Sequence, residues 1–321
     1  MPVILAVMSD NYLYDNTVEI LNPKIFVTKP NHSLVFIDTY MWKYLLDQKY
    51  DVLALLKEGS TNNNLKIVLN DYIVIELKQR KIYDRLLSWF KSSLIVIPVG
   101  YISANQIIHS LLCFVLNKKK IDLDWNIITS EVPVIKDKKV HLQDYFLYIT
   151  KILNFLRNKY KWSNKEWIAK IVSLERKCWN DILERYGELL NLYRIPNFNL
   201  GHYKQFFYTD YFTNLPCIIF KSYFLGYILH ERDLKIQDLV DVFTIFELLP
   251  YCDLYVMDKD QHNRFIKLQK DYKEIFNYFD FRTRIISKLN KSDLDLEIEL
   301  KDFIVNLNTN KKAKRCQTNK E

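Results

Sequence analysis

The chain has 321 residues, of which 49% are hydrophobic and 15% aromatic. That is enough apolar material for one large domain or two small ones. Only five glycines are present, which leaves no glycine-rich phosphate loop and excludes collagen-like or linker-rich architectures. The formal net charge is +8, but half of it lies in residues 311–321. The body is therefore only mildly basic, and charge alone does not establish a nucleic-acid partner.

The cysteine and histidine patterns indicate neither a disulfide framework nor a zinc site. The five cysteines are widely spaced without a CxxC pair, and no two of the six histidines are four residues apart. This usage favours a reducing cytoplasm. Residues 2–8 are apolar but short and lack a basic flank, which predicts a strand rather than a signal peptide. No apolar run approaches the ~20 residues that cross a bilayer, so we expect no membrane contact.

The first third of the chain alternates strand and helix signals. Residues 34–37 form a continuous apolar run that ends at Asp38, as in a strand buried on both faces of a parallel sheet. Helical spacing follows over residues 40–57 and ends at Gly59. This alternation predicts a parallel sheet covered by helices. The further elements are a mixed strand and helix signal over 66–77, a strand over 94–99, and helices over 80–90 and 104–116.

The middle of the chain, residues 121–230, differs from both ends. Long aromatic stretches over residues 144–160 and 165–192 have helical spacing, and no strand signal there is as clear as the one before Asp38. We therefore predict a helical insertion or cap on an α/β core formed by residues 1–120 and 231–285. The later elements are a helix over 238–249, a strand over 253–257, a helix over 261–276, a C-terminal helix over 286–307 and a disordered basic tail over 308–321.

Acidic residues stand at the ends of the predicted strands. Asp38 follows one buried strand directly and Asp258 follows another, and open α/β sheets bind ligands beyond the carboxyl ends of their strands. Asp238 begins a helix, and Asp241 lies one turn later on the same face. Glu76 follows an apolar run, which indicates an acid held near the core. These acids, from distant parts of the chain, are candidates for one shared site.

A shared site of this kind needs a cation. Clustered carboxylates repel each other, and some must be protonated unless a cation neutralises them. Hard oxygen ligands favour Mg²⁺ or Mn²⁺. Such an ion activates water and stabilises the oxygens of an in-line phosphoryl displacement.

Each acid also has an ordinary structural explanation. Asp38 and Asp238 are placed to cap helices, and Asp258 is placed to begin a turn. Glu76 can pair with the basic residues two or four positions further along a surface helix. What favours a shared site is the occurrence of all four in this order and context.

The run over residues 35–39, Glu76 and the block over residues 237–259 resemble the PIN-like family of metal-dependent nucleases. That family has an aspartate ending its first strand, often followed by Thr or Ser, then a mid-chain acid, an aspartate opening a helix and an aspartate ending the next strand. The resemblance covers residues 24–118 and 231–280. It implies a PIN-like three-layer α/β fold with a central parallel sheet, here with a large helical insertion.

Carried over residue by residue, the resemblance implies a catalytic and metal-binding set of Asp38, Glu76, Asp238 and Asp258, with Asp241 as a supporting or alternative metal ligand. The implied activity is Mg²⁺- or Mn²⁺-dependent hydrolysis of phosphodiester bonds, with RNA a more expected substrate than DNA. By analogy with such families, the protein would be an endoribonuclease acting as a toxin or phage-defence effector. A homodimer or a regulatory protein partner is implied on the same ground.

Alternative functions stay open at this point. Met257 stands where the family often has a small hydroxyl residue, which favours a catalytically weak PIN-like module that binds nucleic acid or a protein partner. A haloacid-dehalogenase-type phosphatase would need a second acid at the position of Tyr40. Dinucleotide enzymes and P-loop NTPases would need glycine loops, and serine hydrolases a nucleophile elbow, and the sequence contains neither.

Overall fold

The computed structural model describes residues 23–28, 32–62, 65–98, 100–124, 138–186, 200–276, 279, 281, 283–287 and 297–306. The strand predicted over residues 2–8 and the basic tail predicted over residues 308–321 lie outside the described residues. No helix within the described ranges has both the length and the apolar character that a bilayer crossing requires.

The centre of the protein is a five-stranded sheet in which every neighbouring pair of strands is parallel. The strands run in the order β4-β3-β2-β6-β7, and a separate parallel pair is formed by β1 and β5. Their side chains are buried along the whole of β2, β4 and β6, which explains the continuous apolar runs. The bounds are β1 Lys24–Thr28, β2 Ser33–Ile37, β3 Leu65–Asn70, β4 Leu94–Ile97, β5 Lys120–Asp124, β6 Leu254–Met257 and β7 Arg284–Ser287.

Helices connect these strands and form the middle of the chain. They are α1 Thr39–Gln48, α2 Tyr50–Thr61, α3 Asp71–Gln79, α4 Tyr83–Phe90, α5 Tyr101–Val115, α6 Lys138–Lys159, α7 Asn164–Tyr186, α8 Leu200–Phe206, α9 Asp210–Thr213, α10 Pro216–Glu231, α11 Ile236–Leu248, α12 Lys259–Asp271 and α13 Lys273–Phe276. A further helix spans residues 297–306. The alternation of strand and helix predicted at both ends of the chain is therefore confirmed.

Helix α11 lies across the carboxyl edge of the sheet. The side-chain amide of Asn70, which ends β3, donates to the Thr244 hydroxyl at 3.0 Å. The backbone N–H of Gly100, beyond β4, donates to the Glu247 carboxylate at 2.6 Å. Asp241 precedes Thr244 by three residues, as Thr244 precedes Glu247, so the three share one helix face. The helix therefore presents Asp241 to the same edge of the sheet.

The described part of the insertion is almost entirely helical, with one exception at its start. Strand β5 pairs with β1, from Lys24 opposite Lys120 onward. Ile121 and Leu123 are buried, and the intervening Asp122 is exposed. This alternation is the strand period of two, and it is too short to be recognised beside the helical signals that follow.

The predicted C-terminal helix was wrong in its first residue, which was placed at 286. Residues 284–287 form β7, the outer strand beside β6, and the described helix begins only at residue 297. Four residues with two adjacent isoleucines give neither a clear helical nor a clear strand period. Pairing with β6 decides the conformation, because it satisfies the backbone groups on one side of that strand.

Gly226 lets α10 pack closely against α7. A Cβ atom at this position would lie 2.8 Å from the side chain of Ile168 and 3.2 Å from its backbone nitrogen. Those distances are shorter than normal van der Waals contact, so the two helices would have to move apart.

We predict that Gly226→Ala lowers the free energy of unfolding by about 1–3 kcal/mol, as overpacking of a core does. Urea denaturation measures this change. In an Ile168→Ala background, which removes the side-chain part of the clash, the same substitution should have a smaller effect. Equal effects in both backgrounds would contradict the packing explanation.

Candidate functional site

Asp38 and Asp258 lie side by side at the carboxyl edge of the sheet. They follow β2 and β6, which are adjacent, with Ile37 opposite Val256. Asp38 caps α1, accepting the N–H of Tyr40 at 3.4 Å. Asp258 caps α12 and accepts the N–H of Gln261 at 2.8 Å. Both acids therefore have the capping role and also occupy the edge position expected of a shared site.

Asp241 brings a third carboxylate to this edge. It comes from α11, where Gln237 donates a hydrogen bond to it at 3.2 Å. Its charge interacts unfavourably with those of Asp38 and Asp258, and a contact with the Gln261 side chain partly offsets this. Three acids from three separate elements thus form one electrostatically coupled group, which we call the acidic cluster.

The pKa values of the acidic cluster are shifted upward. Burial, followed by the charges of Asp258 and Glu76, raises the pKa of Asp38 to about 7. Burial, followed by the charges of Asp38 and Asp258, raises the pKa of Asp241 to about 8. Burial also raises the pKa of Asp258. Near neutral pH the cluster therefore retains protons that an exposed aspartate would lose.

Glu76 lies at the border of the acidic cluster. Its carboxylate accepts a hydrogen bond from the Thr39 hydroxyl at 3.0 Å and pairs with Arg80 at 2.8 Å. The expected surface pairing is therefore present, and Glu76 still contributes to the raised pKa of Asp38. Its contact with Thr39 places it next to the residue that follows the first aspartate.

Asp238, which the sequence placed among the metal ligands, has different partners. The Arg232 guanidinium binds both of its oxygens, at 2.6 and 2.7 Å, and the Lys235 N–H adds a third hydrogen bond at 2.7 Å. Burial alone would raise the pKa of Asp238, but these donors hold it below its usual value. The Asp238 carboxylate is therefore bonded at the start of α11 and is not part of the acidic cluster. Asp241, one helical turn later, is the α11 aspartate that belongs to the cluster.

Two further features near the cluster were not predicted from the sequence. Burial raises the pKa of Asp258 and the positive charge of Arg264 opposes that rise; the same charge also acts to lower the pKa of Asp238. The His262 imidazole hydrogen-bonds through Nδ1 to the Ser287 hydroxyl, and Ser287 lies opposite Met257 in the β6–β7 register. The spacing of Arg264 from Asp258 gave no signal, and the Ser287 contact depends on the unpredicted strand β7.

The cluster is not arranged as a closed coordination shell. Within the described ranges, no group of three or more His, Cys, Asp or Glu side chains is placed so that it could hold a metal ion. The donor atoms at the cluster are carboxylate oxygens, the type that Mg²⁺ and Mn²⁺ prefer.

Comparisons with protein-family models, curated proteins and solved structures found no match to this chain. The PIN-like relationship therefore remains a resemblance.

We predict that, without added metal, the free energy of unfolding falls as the pH rises from about 4 to about 8. The folded protein holds protons at Asp38 and Asp241 that the unfolded chain releases near pH 4, so raising the pH favours the unfolded chain. Asp241→Asn removes one repelling charge and should be more stable than the parent by about 1–3 kcal/mol at pH 8.5. Urea denaturation in EDTA measures this difference.

Asp84→Asn is the matched control, because Asp84 is exposed on α4 and its substitution should leave the pH dependence unchanged. A parent protein whose stability rises over this pH range would contradict the repulsion within the cluster.

Proposed function

We propose that this protein is a metal-dependent nuclease of the PIN-like type. It would hydrolyse phosphodiester bonds with carboxylate-bound Mg²⁺ or Mn²⁺, and RNA is a more expected substrate than DNA. The observation that supports this proposal best is the coupling of Asp38, Asp241 and Asp258 at the carboxyl edge of the sheet. Three partly buried acids that lie close together repel one another, and a divalent cation would neutralise that repulsion.

In this proposal one or two of Asp38, Asp241 and Asp258 would bind the ion directly and the rest would attract it by charge, and Glu76 supports Asp38 through Thr39. Mg²⁺ usually keeps several water ligands and needs only one or two carboxylates, so an open arrangement is compatible with binding. When bound, the ion would supply an activated water and stabilise charge on the phosphate oxygens. Arg264 adds a permanent positive charge beside Asp258, where it can bind a substrate phosphate.

A second candidate is a catalytically weak PIN-like module that binds nucleic acid or a protein partner. The absence of a closed metal-holding group among the described residues favours it. Met257 favours it as well, because its side chain is fully buried and supplies no hydroxyl beside Asp258. The two candidates differ in whether the cluster supports turnover. A toxin or phage-defence role, a homodimer and a regulatory partner rest on analogy alone.

We predict that the protein cleaves labelled RNA in the presence of Mn²⁺. Asp38→Asn, Asp241→Asn and Asp258→Asn should each reduce the rate by at least about 100-fold, the scale on which charged groups act in such sites. Gel analysis of RNA and DNA substrates, with and without EDTA, measures cleavage and identifies the preferred nucleic acid.

Asp238→Asn is the control that shows which of the two α11 aspartates, Asp238 or Asp241, is needed for cleavage. Because Asp238 pairs with Arg232, its substitution should lower stability and leave most of the activity in the folded fraction. If Asp238→Asn abolishes cleavage while Asp241→Asn does not, the set implied by the sequence is the correct one. Full activity in all of these variants would contradict the proposed function.

We also predict that Mn²⁺ raises the melting temperature of the parent protein by several degrees. A ligand at about 100 times its Kd contributes about 2.7 kcal/mol to the stability of the folded state, and a chain of this size shifts by roughly 2–4 °C per kcal/mol. Differential scanning fluorimetry measures the shift independently of activity. It should be lost in Asp38→Asn and Asp258→Asn and retained in Asp84→Asn; an equal shift in all of them would contradict binding at the cluster.

A further inference from the structure

Positive charge is concentrated where α6 ends and α7 begins, over residues 151–170, which we call the basic corner. This segment has a net charge of +5, whereas the whole chain has +8 and residues 311–321 supply half of that. Its charged residues are Lys151, Arg157, Lys159, Lys161, Lys165 and Lys170, against Glu166. The rest of the chain is close to neutral, so the basic corner is a local positive surface that attracts a polyanion.

Most of these charges are accessible. The exposed basic side chains are those of Lys151, Lys159, Lys161 and Lys165. Arg157 pairs with Asp233 at 2.9 Å, but no ion pair within the described ranges involves those four lysines. Glu166 accepts the N–H and the hydroxyl of Ser163, at 2.8 and 2.7 Å. The lysines can therefore bind a ligand without first releasing an acidic partner.

Aromatic rings lie among the lysines on the exposed face of α6. Lys151, Phe155 and Lys159 are spaced four residues apart, so they form one row along the helix, with about 6 Å between successive positions. The Phe155 side chain is 64% exposed, and Tyr148 beside this row is 48% exposed. Leu153, on the opposite face, is buried in the core. Cations and flat apolar rings thus alternate on the same face.

The corner is held firmly against the rest of the insertion and the core. Tyr160 and Trp162 stack with ring centroids 4.7 Å apart and planes inclined by 2°, and Trp162 packs edge-on against the buried Trp167 of α7. The Asn154 side chain exchanges two hydrogen bonds with the backbone of Leu234, at 2.7 and 2.9 Å. Leu234 lies two residues before α11, so the basic corner is attached to the start of the helix that carries one acid of the cluster.

We infer that the basic corner binds a single-stranded nucleic acid, with phosphates on the lysines and a base stacked on Phe155. Single strands are bound by positively charged surfaces whose aromatic side chains stack with the bases. A duplex keeps its bases paired and leaves none for the ring. A helix that lies on a membrane separates a charged face from an apolar one, whereas here both kinds of side chain share one face. Binding at this corner requires neither the acidic cluster nor a cation.

The test measures binding in EDTA, so neither cleavage nor a divalent ion contributes. A fluorescein-labelled RNA without self-complementary sequence, and the same RNA annealed to its complement, are titrated with the full chain at several salt concentrations. Fluorescence anisotropy gives the affinities. A triple variant, Lys151→Gln, Lys159→Gln and Lys161→Gln, removes three charges, and Phe155→Ala removes the ring. All four side chains are exposed, so the substitutions leave the core intact.

Two control variants match these changes. A second triple variant, Lys57→Gln, Lys81→Gln and Lys91→Gln, removes the same number of exposed charges elsewhere. Tyr50→Ala removes an exposed ring from α2. Residues 311–321 are the same in every protein, so their charge contributes equally throughout.

We expect the first triple variant to bind the single strand at least about tenfold more weakly at low salt. Its dependence of log K on log salt should be shallower by about 2, because each phosphate contact to a single strand contributes about 0.7. Phe155→Ala should weaken binding by at least about fivefold with an unchanged salt dependence, because stacking releases no counterions. Both controls should bind as the parent does, and the duplex should bind more weakly and be insensitive to Phe155→Ala.

Failure of this inference and failure of the proposed nuclease can be distinguished. No binding of the single strand by the parent, or equal binding by the parent and the first triple variant, would overturn the inference. Equal binding of duplex and single strand, with no effect of Phe155→Ala, would overturn it in favour of a surface for any polyanion. Sedimentation with phosphatidylserine vesicles that depends on the same residues, without RNA binding, would overturn it in favour of a membrane. RNA binding that the first triple variant abolishes, in a protein that cleaves nothing with Mn²⁺, would support the binding surface and contradict only the nuclease.

Discussion

The repulsion among Asp38, Asp241 and Asp258 is the constraint on which the candidate site depends. In solution three such carboxylates would move apart, but here two of them end neighbouring parallel strands whose side chains are fully buried. The sheet cannot separate those strands without exposing its core, and each buried Val, Leu, Ile or Phe side chain contributes about 1.5–3 kcal/mol. Packing of the core therefore holds the charges together, and burial, followed by repulsion from neighbouring acids, raises the pKa of Asp38 and Asp241.

Helix α11 holds the third acid in position by contacts along its whole length. Asp238 binds Arg232 at the beginning of the helix, Thr244 meets Asn70 in the middle, and Glu247 accepts the Gly100 N–H near the end. Asp241 lies between these contacts, and its pKa is raised by burial and then by the charges of Asp38 and Asp258. The Glu247 contact itself includes a fully buried carboxylate whose pKa rises to about 8.

The sequence predicted correctly that Asp38 and Asp258 meet at the carboxyl edge of the sheet. It did not predict which aspartate of α11 joins them. The apolar run before Asp38 and the strand before Asp258 have a clear signal, so their meeting at one edge follows from parallel topology. The choice between Asp238 and Asp241 does not follow from spacing, because both lie on the same face of α11. It is decided by Arg232, whose folded position next to Asp238 depends on how α10 ends. Strand β7, and with it the Ser287 contact of His262, was missed because its pairing with β6 is a tertiary interaction.

Under the proposed function, protons and a divalent cation would compete for the same oxygens at this site. With the pKa of Asp38 at about 7 and that of Asp241 at about 8, an ion that binds near neutral pH must displace protons, so its affinity increases with pH. Above pH 8 the metal-free cluster is most strained, and there an ion relieves the greatest repulsion. Metal binding and stability are thus two measures of the same interaction. Two aspartates that only capped helices would not require a third, partly buried acid beside them, and the stability of such a site would not be expected to respond to pH and to a divalent ion together.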